Sequence, residues 1–274
     1  MALVVNTNIA SLSAQRNLNA SNAGLAKSVE RLSSGLRITR AADDAAGLAV
    51  SETLRAQIRS INQASRNAND GISLTQIADG AAAAIGNMLH RMRELATQSG
   101  SGTVGSTERS YLDQEFISLR SEIDRIAGAT EFNGNALLSG ANNSFDVFVG
   151  FKSGSNSTLT LDLNDLTTTD LALNTVNISS ASNAQSALAN IDSAISAVAT
   201  ARAEYGSVQA RFEAAIANLG VTSENFSAAE SRIRDADIAY ETSVFTKNQI
   251  LVQSGVAILA QANSLPQAAL SLLR

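Results

Sequence analysis

The chain has 274 residues, with one proline, no cysteine, no tryptophan and only eight Phe and three Tyr as aromatics, which sets aside a turn-punctuated β-sandwich and a disulfide scaffold. Its 20 basic and 25 acidic side chains leave a net charge of -5, the wrong sign for a nucleic-acid or anionic-membrane surface. The 45% hydrophobic content includes 47 alanines, so little bulk is on hand for a core, yet the 265 residues ahead of Pro266 can run very long helices.

Apolar periodicity predicts helices near 4–34, 46–99, 107–127, 183–219 and 228–264. The first carries Ile9, Leu12, Leu25, Val29, Leu32 and Leu36, with Gly35 as a left-handed stop. Met1–Asn6 lacks both the basic and the apolar region of a cleavable secretory signal, which taken alone suggests a cytoplasmic protein. Asp43-Asp44 reads as acidic residues near a helix start, favoured by the macrodipole, rather than as a catalytic carboxylate pair.

The second helix shows a 3,4 stripe at Leu74, Ile77, Ala81, Ala84 and Met88 and would extend about 80 Å if unbroken. Gly71, Gly80 and Gly86 interrupt it, which calls for tight packing or a break. His90, the sole histidine, lies among Arg91, Arg93 and Glu94 and reads as an exposed face. Gly100-Ser-Gly-Thr-Val-Gly105 fits G-x-G-x-x-G formally but lacks the preceding strand that dinucleotide binding needs, so it reads as a turn. Leu112, Phe116, Leu119, Ile123 and Ile126 stripe the third helix up to Gly128.

Between Arg125 and Arg202 the one basic residue is Lys152, so this stretch reads as an insert. Phe145, Val147, Val149 and Phe151 alternate with Asp146, Phe148 and Gly150, and Leu159, Leu161 and Leu163 with Thr160, Asp162 and Asn164, which predicts a β-hairpin. Residues 165–182 read as a polar return loop, and the acidic spacing near Asp162 lacks the glycine and glutamate of a calcium loop.

Ser182-x-x-Gln185 opens the fourth helix, whose seam runs Leu188, Ile191, Ile195, Val198, Arg202 and Tyr205 and resumes out of phase at Phe212. Gly220 would stop it and Ser227-x-x-Glu230 would start a last helix bearing Val252, Val256, Leu259 and Leu265, ended by Pro266. Both terminal arms are too sparsely apolar to fold as a domain by themselves. They either fold back on the central helices or become ordered against neighbouring copies. No arrangement here supports catalysis, cofactor binding or a metal: catalytic, cofactor and metal sites are all read as none, and an enzyme is not expected.

Several runs together resemble bacterial flagellin. They are Val5-Asn-Thr-Asn-Ile-Ala-Ser-Leu-Ser-Ala-Gln15, Glu30-Arg-Leu-Ser-Ser-Gly-Leu-Arg37 continuing to Val50, Asn67-Ala-Asn-Asp-Gly71 continuing to Gly80, Arg91-Met-Arg-Glu-Leu-Ala96, Glu131-Phe-Asn-Gly134, Gln209-Ala-Arg-Phe-Glu213 and the closing stretch from Glu230. The resemblance implies a mainly α fold: a long antiparallel coiled-coil or helix bundle with a small β-hairpin insert and paired N- and C-terminal arms. Residues 1–43 and 229–274 would form the inner filament core, 44–138 and 182–228 a helical shell, and 139–181 a short insert without larger outer domains.

It further implies a subunit that self-assembles into the flagellar filament for motility, exported through the flagellar type III apparatus without a cleaved signal, which replaces the cytoplasmic reading with an extracellular one. Ile9, Leu12, Leu25, Val29, Leu32, Val252, Val256 and Leu259 would form the polymerisation core. Implied partners are other copies, junction and cap proteins, and an export chaperone at the C-terminal arm, with no nucleic acid and no membrane insertion. The family's contact with an innate immune Toll-like receptor maps onto Arg91, Leu95 and Glu115, although Leu119 stands where well-recognised members have Arg. The alternatives are a hook–filament junction relative and, secondarily, a ligand of that receptor.

Overall fold

The computed structural model describes residues 7–140, 144–152 and 154–271, side chains at 155 and 265–271 excepted. Among the described residues there are five α-helices, α1 (Ile9–Ser34), α2 (Ala45–Ser99), α3 (Ser106–Ala129), α4 (Ala181–Arg234) and α5 (Ile238–Ser271), with the short strands all lying between α3 and α4. The chain divides into two compact units, an arm unit of residues up to 56 and from 225 on, and a bundle unit of 57–224. α2 and α4 each contribute residues to both.

In the bundle unit most buried positions of α2 follow one heptad repeat, Ile61, Ala64, Ala68, Gly71, Thr75, Ala78, Ala82, Ile85, Leu89, Met92, Ala96 and Ser99, with Leu74 and Leu95 buried beside it. α4 repeats the rule with Ala184, Ala187, Ile191, Ala194, Val198, Ala201, Tyr205, Val208, Phe212 and Leu219. These seams share Ile191, Val198 and Tyr205 with the expected ones, and the expected Leu74 is buried beside the α2 seam, but other expected positions lie off the contact line. Ile77 is 42% exposed, Leu188 and Ile195 flank the core, and Arg202 faces outward to chelate Asp79 through Nε at 2.7 Å and Nη2 at 3.4 Å. The α4 repeat also passes Phe212 without a phase slip. Alanine and glycine occupy many seam positions, which lets helices approach closely where leucine would hold them apart.

The α2 glycines do not break the helix. At Gly71 packing demands the missing side chain, since a Cβ would lie 2.8 Å from Phe212 Cζ. At Gly80 nothing lies within 4 Å of such an atom, and the structure gives no packing reason for that glycine.

The insert forms two antiparallel pairs. β1 (Glu131–Phe132) meets β2 (Asn135–Ala136) across Asn133-Gly134, both at positive φ (51° and 78°), as a tight two-residue hairpin requires. β3 (Ser144–Phe148) pairs with β4 (Thr158–Asp162), Phe145 facing Leu161 and Val147 facing Leu159. The first strand stops at Phe148, short of Phe151, because the N–H groups of Val149 and Gly150 both donate to the Ser157 carbonyl, at 2.8 and 3.0 Å. The 165–182 segment is not a polar loop. Leu166, Leu171, Leu173, Val176 and Ile178 are buried in the core, while Asp124 accepts the Thr168 N–H and hydroxyl at 2.8 Å each.

Helix ends depart from expectation where other contacts decide them. α1 begins at Ile9, capped by the Asn8 side chain, so the expected start near residue 4 fails at residues 7 and 8, and residues 1–6 lie outside the described residues. Gly35 does adopt the left-handed conformation (φ 70°) that ends α1. Gly100 and Gly128 do not: α2 ends with Gly100 N–H on the Ala96 carbonyl at 2.9 Å, and α3 runs through Gly128 to Thr130, whose N–H and hydroxyl both cap the Ile126 carbonyl. Ser180, two residues ahead of the expected capping box, accepts the Asn183 N–H at 3.2 Å and starts α4.

α4 also passes through Gly220 and the expected start at Ser227. The real break is Asp235-Ala236-Asp237, made by tertiary pairing. Arg37 N–H bonds the Arg234 carbonyl at 2.7 Å, Ala236 N–H bonds the Gly35 carbonyl at 2.9 Å, and the Asp237 carboxylate caps the Tyr240 N–H at 3.0 Å. Pro266 does not stop α5, which continues to Ser271. A proline leaves the carbonyl four residues earlier without its helical donor, and here that carbonyl, on Ala262, accepts the Asn8 side-chain amide at 2.7 Å.

Candidate assembly interface

Within the arm unit, α1 and α5 pack antiparallel: Asn8 and Ser11 meet Ala262 and Asn263, Leu18 meets Gly255, and Arg31 meets Glu241. The residues buried by this pairing are small or polar. Ala14, Ser28, Ala262 and Glu241 are under 9% exposed, and Ile38 is the one large apolar side chain buried among the described residues of the unit. The bulky apolar side chains turn outward instead: Ile9 (71%), Leu12, Val29, Val50, Ile238, Tyr240, Ile250, Leu251, Val256 and Ile258 (59%) are all exposed.

Of the eight residues expected to polymerise, Ile9, Leu12, Val29 and Val256 are therefore exposed, while Leu25, Leu32, Val252 and Leu259 are half-buried. Ile238, Tyr240, Ile250, Leu251 and Ile258 are exposed as well and lie outside that expectation, because tracing one stripe per helix discards the apolar residues lying off it. Their signal was the excess itself: α5 carries more apolar residues than one face can hold, and a helix apolar on several faces must be covered on several sides.

Between α1 and α2 a polar loop is tied down by two acids. Asp43 takes Lys27 Nζ at 2.7 Å, the Thr39 N–H at 3.3 Å and hydroxyl at 3.1 Å, and the Arg40 N–H at 3.4 Å. Lys27 first, then Thr39, holds the Asp43 carboxyl well below the usual carboxylate range. Asp44 accepts the Gly47 N–H at 2.9 Å and caps α2, the helix-start role its position suggested. Arg40 grips Glu30 with two hydrogen bonds, at 3.0 and 2.7 Å.

In the bundle unit Arg91 bridges Glu115 and Glu94, each at 2.9 Å, and the two carboxylates, Glu115 first, raise its pKa further. Arg91 and Glu115 are exposed, but Leu95 is fully buried in the core, so a receptor face built on that pair does not include it. His90 lines an open groove with Arg93, Glu94, Thr97 and Gln98. Among the described residues no three His, Cys, Asp or Glu side chains converge as metal ligands, and no helix is long and apolar enough to cross a membrane.

Fold and surface define a class: a long helical structural subunit with an unpartnered apolar surface on its terminal helices. Residues 5–143 match the model of the bacterial flagellin N-terminal helical region, and 188–273 match that of the C-terminal helical region. The chain is 47% identical to a flagellin of Halalkalibacterium halodurans over 99% of its length and 100% of that protein. It is 42% identical to a flagellar filament 33 kDa core protein of Treponema phagedenis, again over 99% and 100%. Among solved structures it resembles Bacillus cereus flagellin, with a TM-score of 0.51 at 34% identity, over 60% of this chain and 94% of that one. The chain belongs to the bacterial flagellin family; it is a structural subunit of the flagellar filament and not an enzyme.

Proposed function

We propose that the arm pair is the polymerisation element of this filament subunit, and that Ile9, Leu12, Val29, Val256 and the newly found Ile250, Leu251 and Ile258 are covered by arm pairs of neighbouring copies, with Leu25, Leu32, Val252 and Leu259 bracing the pair from within. The observation that carries this is the inversion of the arm unit, with small side chains in and bulky apolar ones out. Each Val, Leu or Ile taken out of water on assembly contributes about 1.5–3 kcal/mol, enough in number to order helices that are marginal alone. The test is Val256→Glu. It should abolish sedimentable filaments after seeding while the bundle unit melts as in the parent by circular dichroism; normal filaments would remove Val256 from the interface.

Residues 1–43 and 229–274 then act as core-forming segments, 44–138 and 182–228 as the shell and 139–181 as the insert. The same outward surface of α5 suits an export chaperone before assembly, with release through the type III apparatus without a cleaved signal. Junction and cap proteins would meet it at the filament's ends. A chaperone co-purifying with the parent and lost with Leu251→Asp plus Ile258→Asp supports this. Arg91 and Glu115, exposed side by side on α2 and α3, favour receptor contact by the free subunit. Arg91→Ala should weaken pull-down by the receptor ectodomain, and unchanged capture removes these positions.

A further inference from the structure

Two of the contacts between α1 and α5 are selective in a way that apolar packing is not. Ala262, 6% exposed, has a carbonyl freed of its helical donor by Pro266, and the Asn8 amide supplies the missing hydrogen bond at 2.7 Å. At the other end of the pair Glu241 is 5% exposed, and Arg31 Nη1 lies 3.4 Å from its Oε2. The neighbouring Arg37 is already engaged by the carbonyls of Ile233 (2.6 Å) and Arg232 (3.5 Å). Buried ion pairs add little net stability but strongly penalise arrangements that separate them. A slip of α1 along α5 by one turn would strand the Glu241 carboxylate and the Ala262 carbonyl at once.

We propose that Asn8–Ala262 and Arg31–Glu241 form a clasp that admits a single register of α1 on α5, and so fixes which apolar side chains the arm pair presents to its neighbours. This rests on the filament-subunit reading. Between the clasp points Leu18 fits the notch at Gly255, with Cδ1 3.2 Å from where a Cβ would stand, and Asn248 that at Gly24, with Nδ2 2.9 Å from such a Cβ; these notches favour the same register by shape, whereas the clasp enforces it by the cost of stranding a buried polar group. A competing role is purely local, since Arg31 in the last turn of α1 and Glu241 in the first turn of α5 both suit the helix dipoles. That role would stabilise each helix in any register, which separates the two by experiment.

The chain has no cysteine, so introduced pairs report cleanly. Ser11→Cys with Asn263→Cys reads the observed register, where the two side chains already touch at 2.8 Å; Ser11→Cys with Leu259→Cys reads a slip of one turn. Full-length protein is oxidised before and after seeded assembly, and the monomer-sized cross-linked band is quantified. The clasp predicts that the observed-register pair forms at least about ten-fold more disulfide than the slipped pair in the parent, and that Asn8→Ala with Glu241→Leu brings the two near parity. Glu241→Gln, which retains an acceptor for Arg31, should move the ratio less. Should Glu241→Leu lose helicity, the distal point is tested alone: Asn8→Ala should raise the slipped band in the parent but not beside Pro266→Ala, which restores the N–H that Ala262 lacks. A slipped band that stays at background in the double variant overturns the clasp, as does an Asn8→Ala effect indifferent to Pro266→Ala. If the ratios behave as stated but no parent filaments form, the assembly reading fails and the clasp stands.

Discussion

The two units of this chain invert each other's use of hydrophobic residues. The bundle unit buries Phe116, Phe212, Tyr205, Ile85, Leu89 and Met92 at 0% exposure, whereas the arm unit buries Ala14, Ile38 and Ala262, half-buries Leu25, Leu32, Val252 and Leu259, and leaves Ile9, Leu12, Ile250, Val256 and Ile258 exposed. Both are built of long Ala-rich helices, so composition does not separate them. The proposed difference is which partner completes the packing: residues of the same chain do so in the bundle unit, and other copies would do so in the arm unit. On that proposal the bundle unit, which carries its own core, lets the arms be marginal until neighbours cover them.

The comparison breaks most decisively at Phe212. Its ring is fully buried, and Phe212→Ala should destabilise the bundle unit by about 3–5 kcal/mol, read as a lower melting temperature in circular dichroism. An effect confined to assembly, with unchanged melting, would mean that the bundle core is no more self-sufficient than the arms. Gly71→Ala is the next in size. The new methyl would meet the same ring 2.8 Å away, an overpacking that costs about 1–3 kcal/mol. Because the two residues share one space, Gly71→Ala beside Phe212→Leu should cost clearly less than the sum of the single changes.

For the arm unit the expected sign is different. Ile258 is 59% exposed, so Ile258→Ser should change monomer stability by no more than about 0.5 kcal/mol, yet raise the protein concentration needed for filament growth about ten-fold. That corresponds to losing roughly 1.4 kcal/mol per subunit added. Turbidity after seeding measures it. A destabilised monomer with unchanged growth would place Ile258 in the chain's own core.

These contrasts were only partly visible in the sequence, for reasons specific to alanine. The helices themselves and the hairpin follow from periodicity and turn residues, because those signals are local, whereas the pairing of the arms was implied only by the family resemblance. The phase of the seams was legible only in part, at Ile191, Val198 and Tyr205. With alanine at so many seam positions, bulky residues such as Leu188, Ile195 and Ile77 attract a periodicity reading although they lie beside the contact line, while Ala187, Ala194 and Ala78 form it. The break after Arg234 was hidden for another reason: it is made by residues 35–37 pairing with 234–236, nearly two hundred positions away. The outward residues of α5 were legible as surplus hydrophobicity, but deciding that Ile250 and Ile258 face away needed the position of α1.

The smallest expected effect concerns the loop that follows α1, where the arm unit depends on charge more than on packing. Asp43 has its pKa depressed by Lys27 and Thr39, so the folded state binds a proton there less readily than the unfolded chain. Its contribution is accordingly complete above the ordinary carboxylate value of about 3.9 and is lost as pH falls below it towards the depressed folded value. Asp43→Asn removes the ion pair with Lys27 at every pH. The stability gap between parent and variant should therefore be constant near neutrality and narrow steadily from about pH 5 downwards. Hydrogen exchange at residues 39–48 would follow this locally, while the bundle-unit amides serve as the internal reference. The pair is exposed on the Lys27 side, so added salt should shrink the neutral-pH gap as well. A gap that widened on acidification would mean that protonated Asp43, not the carboxylate, is the form this loop holds, and the arm unit's polar ties would need another origin.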